Sequence, residues 1–97
     1  MTIDREQDGG KLTLKVCGRL DTNTSPDLVA ELKLDGVTEV VFDFSGLEYI
    51  SSAGLRVLMM AQKSVSAADG RVVIAGPNDM VRGVLDMTGL SGVFEIA

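Results

Sequence analysis

Histidine is absent from this chain, tryptophan is absent too, and there is only one cysteine and one tyrosine. Without histidine there is no Ser-His-Asp triad, no Cys-His dyad and no imidazole-ligated metal. Cys17 alone makes neither an internal disulfide nor a thiolate zinc site. An enzyme built here would have to work with carboxylates, lysine, serine and Tyr49. Cys17 falls in an alternating strand pattern and reads as a packing residue. With so few aromatics, the core must come from Val, Leu, Ile, Met and Ala.

Two further absences narrow the setting. No stretch approaches the roughly 18 apolar residues of a membrane span, and no amino-terminal run resembles a signal peptide. The default expectation is a reducing, cytoplasmic location without membrane insertion. The formal net charge is −5, and the nine Lys and Arg are scattered along the chain. Phosphate neutralisation needs clustered basic residues, so a nucleic-acid partner is not expected.

What is present is enough for one core. The 97 residues suit a single domain, and 45% hydrophobic with 24% charged residues is the balance of a globular protein rather than a disordered one. Residues 2–7 and 11–17 flank Asp8-Gly9-Gly10 and predict an antiparallel hairpin, with the first strand at the sheet edge. Leu12, Leu14 and Val16 point one way; Thr13, Lys15 and Cys17 point the other. Residues 18–26 are polar and turn-rich. Thr24 or Ser25 is a candidate cap, with Pro26 in the first turn of a short helix over about 26–33. Its inward residues are expected to be Leu28, Val29 and Leu32, and Asp35-Gly36 stops it.

A nearly continuous apolar strand over 37–44 suggests burial on both faces under helices. A loop over 45–51 leads to the longest helix, about 53–68. Residues 71–75 form another apolar strand, Asn78 or Asp79 opens a last helix closed by Gly89, and 92–96 make a final short strand. The predicted order is β-β-α-β-α-β-α-β. This is a single α/β domain spanning 1–97, with a mixed, mostly parallel sheet, a hairpin edge and helices packed against it. Partners of such folds meet the carboxyl ends of the parallel strands, where residues 45–52 lie.

That segment carries the functional reading. Winding the long helix at 100° per residue puts Gly54, Val57, Leu58, Ala61, Val65 and Ala68 opposite Ser52. Arg56, Lys63 and Ser66 share the Ser52 face, and Met59 falls about 20° from it by the same winding. Met59 is either an isolated exposed methionine or an adaptable apolar docking spot. A serine at a helix start commonly caps backbone N–H groups. The same position also tolerates a phosphate, because unsatisfied N–H groups and the positive end of the helix dipole face it. The added charge would then act on a docked partner. Gly54 has two readings as well: close helix–strand packing, or close approach of a partner active site.

The stretches GRLDTNTSPDL, VVFDFSGLEYISSAGLRVL and VVIAGPNDMVRGVLDMTGLSGVFEI resemble successive blocks of STAS domains, specifically stand-alone anti-sigma factor antagonists. The resemblance runs from Leu12 to Ile96, and the SSAGLRVL block is the most specific part. It implies Ser52 as phosphoacceptor, with Ser51 the runner-up. It implies as partners an anti-sigma factor that is also an ATP-dependent serine kinase, and a serine phosphatase that reverses the modification. The unmodified antagonist would bind the kinase and release its sigma factor, and phosphorylation would break that complex. No cofactor of the chain's own is implied, since the kinase uses the ATP. The free protein is expected to be a monomer. By position, Asp21, Asp43 and Ser45 match family positions near the partner-binding end; with Thr24, Ser51, Gly54, Arg56, Met59 and Lys63 they complete the expected partner-binding set. Two departures stand out: Ser51 replaces an acidic residue common before the phosphoserine, and the segment 28–37 is short for the family's first helix.

Other function classes fit the residues less well. A serine nucleophile needs a base within hydrogen-bond reach, and Lys63 lies about 16 Å along the helix from Ser52. No Gly-x-x-x-x-Gly-Lys-Ser/Thr segment supports nucleotide binding. A non-catalytic STAS subunit of a transporter or stress-signalling assembly remains the alternative to the switch.

Overall fold

The computed structural model describes all residues from Met1 to Ala97. Strand β1 (Thr2–Asp8) turns through Gly9-Gly10 into β2 (Lys11–Leu20), and the two pair antiparallel from Thr2 opposite Cys17 to Asp8 opposite Lys11. Gly9 sits at φ 59°, a conformation glycine adopts without a steric cost. Helix α1 (Ser25–Ala30), β3 (Glu39–Asp43), β4 (Leu47–Ile50), α2 (Ser52–Ser66), β5 (Arg71–Ala75), α3 (Asp79–Met87), a 3-10 turn (Leu90–Gly92) and β6 (Glu95–Ile96) follow. The sheet runs β1-β2-β3-β5-β6, with β4 pairing β2 off this path. Only the β1–β2 pair is antiparallel. The mixed sheet with its hairpin edge is therefore as expected from the sequence.

The helices do not cover both faces. The parallel connections β2–α1–β3, β3–α2–β5 and β5–α3–β6 all step across the sheet in one direction. Right-handed crossovers taken in one direction put every helix on the same side. Leu28, Val57, Leu58, Ala61, Val65, Val81 and Leu85 accordingly meet Leu12, Leu14, Val40, Phe42, Val72 and Ile74 in one core cluster. On the other face Thr13, Val41 and Asp43 are only half-buried and Lys15 is exposed. The expectation that β3 is apolar on both faces under helices is corrected: it alternates, with Val40 and Phe42 inward and Val41 outward.

Several boundaries move as well. The segment 45–51, expected as a loop, contains β4, whose Leu47 and Ile50 are buried. Strand β2 continues to Leu20, through residues read as turn, because Gly18 takes φ 98° at a register shift and the strand resumes against β4. Helix α1 ends at Ala30, earlier than expected, and Val29 is exposed rather than inward. Helix α2 ends at Ser66, which leaves Ala68 in the exposed turn beyond it. Met80 is exposed, since Val81 and Leu85 take the core-facing positions of α3. Asn78 caps α3 as expected, its side chain accepting the Val81 N–H at 2.8 Å. No helix is long and apolar enough to cross a membrane.

Candidate functional site

The second half of β2 determines where α2 begins. Leu20 pairs with Ile50, and the Leu20 carbonyl accepts the Ser51 N–H at 2.9 Å. The chain then turns into helix, with Ser51 extended at φ −100°, ψ 176° as the N-cap. Its hydroxyl accepts the Gly54 N–H at 3.5 Å, which satisfies one of the orphan donors of the first turn. Ser52 is the first helical residue and is exposed. The two roles that sequence reasoning assigned to one serine are thus divided: Ser51 caps, and the Ser52 hydroxyl faces outward with no hydrogen-bond partner in the chain.

Gly54 is buried. A Cβ there would lie 2.8 Å from both Leu20 Cγ and Ile50 Cγ1, closer than van der Waals contact. Close packing of α2 on β2 and β4 is the reason for the glycine. Gly54 therefore leaves the expected partner-facing set, since the side chains of Leu20 and Ile50 lie over it. The rest of the helix follows the sequence reading: Val57, Leu58, Ala61 and Val65 are buried, while Arg56 and Lys63 are exposed. Met59 is 42% exposed and Met60 48% exposed, an unusual pair of apolar side chains at the surface.

The loop between β2 and α1 stands beside this helix start. Asp21 Oδ1 accepts the N–H groups of Asn23 and Thr24 at 3.0 and 3.1 Å, and the Asp21 N–H donates to Thr24 Oγ1 at 2.9 Å. The Thr24 hydroxyl donates in turn to the Arg19 carbonyl at 2.9 Å. These bonds hold the Asp21 carboxyl below the usual carboxylate range, the Thr24 N–H foremost. Thr24 occupies the cap position of α1 but makes no side-chain cap; its hydroxyl is committed to the loop. What Asp21 and Thr24 do in this structure is fix the loop.

Between α1 and α2 runs a groove of about 430 Å³ lined by Thr22, Pro26, Val29, Ala53, Arg56 and Met60. A second depression of about 490 Å³ continues along α2 past Arg56, Met59, Met60 and Lys63. Arg56 and Met60 line both depressions, and Ser52 is exposed at the start of the same helix, beside Ala53 of the groove. Sequence reasoning missed the α1 side of it. Val29, expected to face inward with Leu28 and Leu32, is exposed and lines the α1 side of the groove instead.

Asp43 and Ser45 are elsewhere. Asp43 is level with Lys15 on β2, whereas Ile50 is level with Leu20. Five residues of strand, about 16 Å at the usual rise, separate them along β2. Asp43 also lies on the uncovered sheet face. Its Oδ1 accepts the Ser45 hydroxyl at 2.7 Å and the Ser45 N–H at 3.0 Å. The hydroxyl is the main cause of a carboxyl held below its ordinary range. The turn packs against Gly76, where an added Cβ would lie 3.3 Å from Ser45 Cβ. The structure does not bring this pair to Ser52. Nor does it gather three or more Cys, Asp or Glu side chains into a cluster able to hold a metal ion.

The family profile described as "Mlab, STAS domain" matches residues 3–95. The chain belongs to the STAS domain family. Among curated relatives, BtrV of Bordetella bronchiseptica, named "Putative anti-sigma factor antagonist", is 31% identical over 100 residues, covering 100% of this chain and 86% of that protein. The anti-sigma-B factor antagonist of Listeria monocytogenes is 30% identical over 95 residues, covering 95% of this chain and 83% of its own. Among solved structures, the anti-sigma factor antagonist SpoIIAA in its unphosphorylated form superposes on this STAS domain with a TM-score of 0.88. The match has 21% identity and covers 99% of this chain and 88% of that one. At that identity the superposition speaks for the fold alone.

Proposed function

We propose that this STAS domain is an anti-sigma factor antagonist working by partner switching, with Ser52 as its phosphoacceptor. The observation that carries the reading is the exposed Ser52 hydroxyl at the first helical position, beside a neighbour that already supplies the cap. A modification of Ser52 leaves that cap in place. In the unmodified state the surface of Arg56, Met59, Met60 and Lys63 docks an anti-sigma factor that is also a serine kinase, and the sigma factor is released. The kinase transfers the γ-phosphoryl group of ATP to Ser52 Oγ. An O–P bond forms as the bond to ADP breaks, and the hydroxyl proton passes to a base of the kinase. The phosphate brings about −1.5 to −2 charges to the docking surface and dissociates the complex by repulsion and desolvation. A serine phosphatase hydrolyses the ester and resets the switch. The chain acts in the cytoplasm, as a monomer when free, with no cofactor of its own.

The names of the Bordetella and Listeria relatives and the full-length match support this reading. The test is intact-mass and peptide mass spectrometry on protein from its native cell, with Ser52→Ala and Ser51→Ala alongside. One phosphate, lost only in Ser52→Ala, is the expected result. Absence of phosphate under every growth condition would replace the switch with a constitutive scaffold, the role of a STAS subunit in a larger assembly.

A further inference from the structure

Helix α2 is the one helix of the three without an acidic residue. It contains Arg56 and Lys63 and no acidic residue, a charge of +2, in a protein of net charge −5. Helix α1 carries Asp27 alone, and α3 carries Asp79 and Asp86 against Arg82. Arg56 belongs to none of the chain's ion pairs, which involve Arg5, Lys11, Arg71 and Arg82. It is an exposed cation without a partner, four residues after Ser52. Four residues of helix is about 6 Å of rise and about 40° of rotation. An arginine side chain spans that gap. The same spacing is already bridged once in this chain, where Arg82 Nε lies 3.8 Å from Asp86 Oδ1. With the anion at the earlier position and the cation four residues later, the Ser52–Arg56 order is the more favourable of the two.

We propose that Arg56 is the built-in counter-ion of phosphorylated Ser52, folding back along α2 to pair with the phosphate through its guanidinium fork. This rests on Ser52 being the phosphoacceptor, and it adds a second route by which phosphorylation acts. Guanidinium binds phosphate oxygens in pairs, with geometry that an ammonium cannot reproduce. While Ser52 is unmodified, Arg56 is free to meet an acidic group of the docked partner on the rim of the α1–α2 groove. Once the phosphate is present, Arg56 turns to it, and the partner loses its cation at the moment it meets a new anion. The two cations Arg56 and Lys63 are then nearly balanced by the phosphate, and this stretch of α2 changes from basic to about neutral.

The experiment uses the full chain with phosphoserine installed at position 52 by genetic code expansion, so that it does not depend on which kinase, if any, modifies the protein in the cell. The second ionisation of the phosphate is followed by phosphorus NMR in low salt for the wild type, Arg56→Gln and Lys63→Gln. Pairing favours the dianion, so Arg56→Gln is expected to raise the midpoint by about 0.3 pH unit, the size of a helical pair at this spacing. Lys63→Gln, three turns away, leaves it unchanged. The chain's other charges are the same in all three proteins, so the difference isolates Arg56. Both substitutions are at exposed positions and leave the fold intact. Equal midpoints for wild type and Arg56→Gln overturn the proposal, as does an equal rise in Lys63→Gln, which would mark a diffuse field instead of a pair. Failure to find phosphate on Ser52 in the native cell would count against the switch itself, whatever the titration shows.

Discussion

Ser51 and Ser52 are the same residue type one position apart, and the helix start gives them different work. The Ser51 side chain lies half-buried over the first turn and accepts the Gly54 N–H; the Ser52 side chain points to solvent. Loss of a serine cap costs about 0.5–2 kcal/mol, and the 3.5 Å bond here places Ser51 toward the low end. Ser51→Ala is therefore expected to lower unfolding free energy in urea by about 0.5–1 kcal/mol. Ser52→Ala is expected to change it by no more than about 0.5 kcal/mol, as at other exposed positions. A larger loss for Ser52→Ala than for Ser51→Ala would reverse the assignment of cap and acceptor. The serine pair was legible in the sequence as a helix start, but its division of labour was not. Helix boundaries read from sequence are uncertain by a residue or two, and here one residue decides which hydroxyl is free.

At the scale of elements, the sequence was read most accurately where its period was clean and least accurately where the chain bends. Leu12, Leu14 and Val16 alternate with polar residues, and they are buried as that alternation requires. Strand β4 was missed because it is four residues long and follows Ser45-Gly46, a turn-forming pair. Its partner in β2 lies beyond Gly18, which also reads as a turn. The consequence was functional: without β4 there is no account of why Asp21 stands beside Ser51. Strand β3 was misread differently, since Val40 and Val41 look alike but face opposite sides of a sheet with one covered face. Val40 is fully buried in the main cluster and Val41 is half-buried outside it. Val40→Ala is expected to cost about 2 kcal/mol by loss of buried area and the cavity left behind. Val41→Ala should cost under about 1 kcal/mol, because water already reaches that face. Equal losses in chemical denaturation would show that a second layer covers the open face in solution.

For the whole molecule, the question is whether phosphorylation changes the fold or only its surface. One cluster of 20 buried residues draws on β2, β3, β4, β5 and all three helices, so no element can repack without opening the others. Helix α2 is anchored at its start by Gly54 against Leu20 and Ile50 and further along by Val57, Leu58, Ala61 and Val65, all buried while Ser52 is exposed. A phosphate at an exposed helix N-terminus contributes about 0.3–1 kcal/mol in favour of the helix. Repulsion within a chain of net charge −5 opposes it, and screening by salt reduces the effect. The two act on the same scale, so their sum stays within about 1 kcal/mol, or about 5 °C in Tm for a domain of this size. The phosphoserine-52 protein should therefore unfold in one transition within about 5 °C of the unmodified chain. Its amide chemical shifts should change only around residues 20–30 and 50–63. A fall well beyond that range, or shift changes spreading through β3 and β5, would mean that the phosphate melts α2 and that the switch works by unfolding. The anchoring of α2 by buried contacts on the opposite face argues for the first outcome: the partner, and not the fold, responds to the charge.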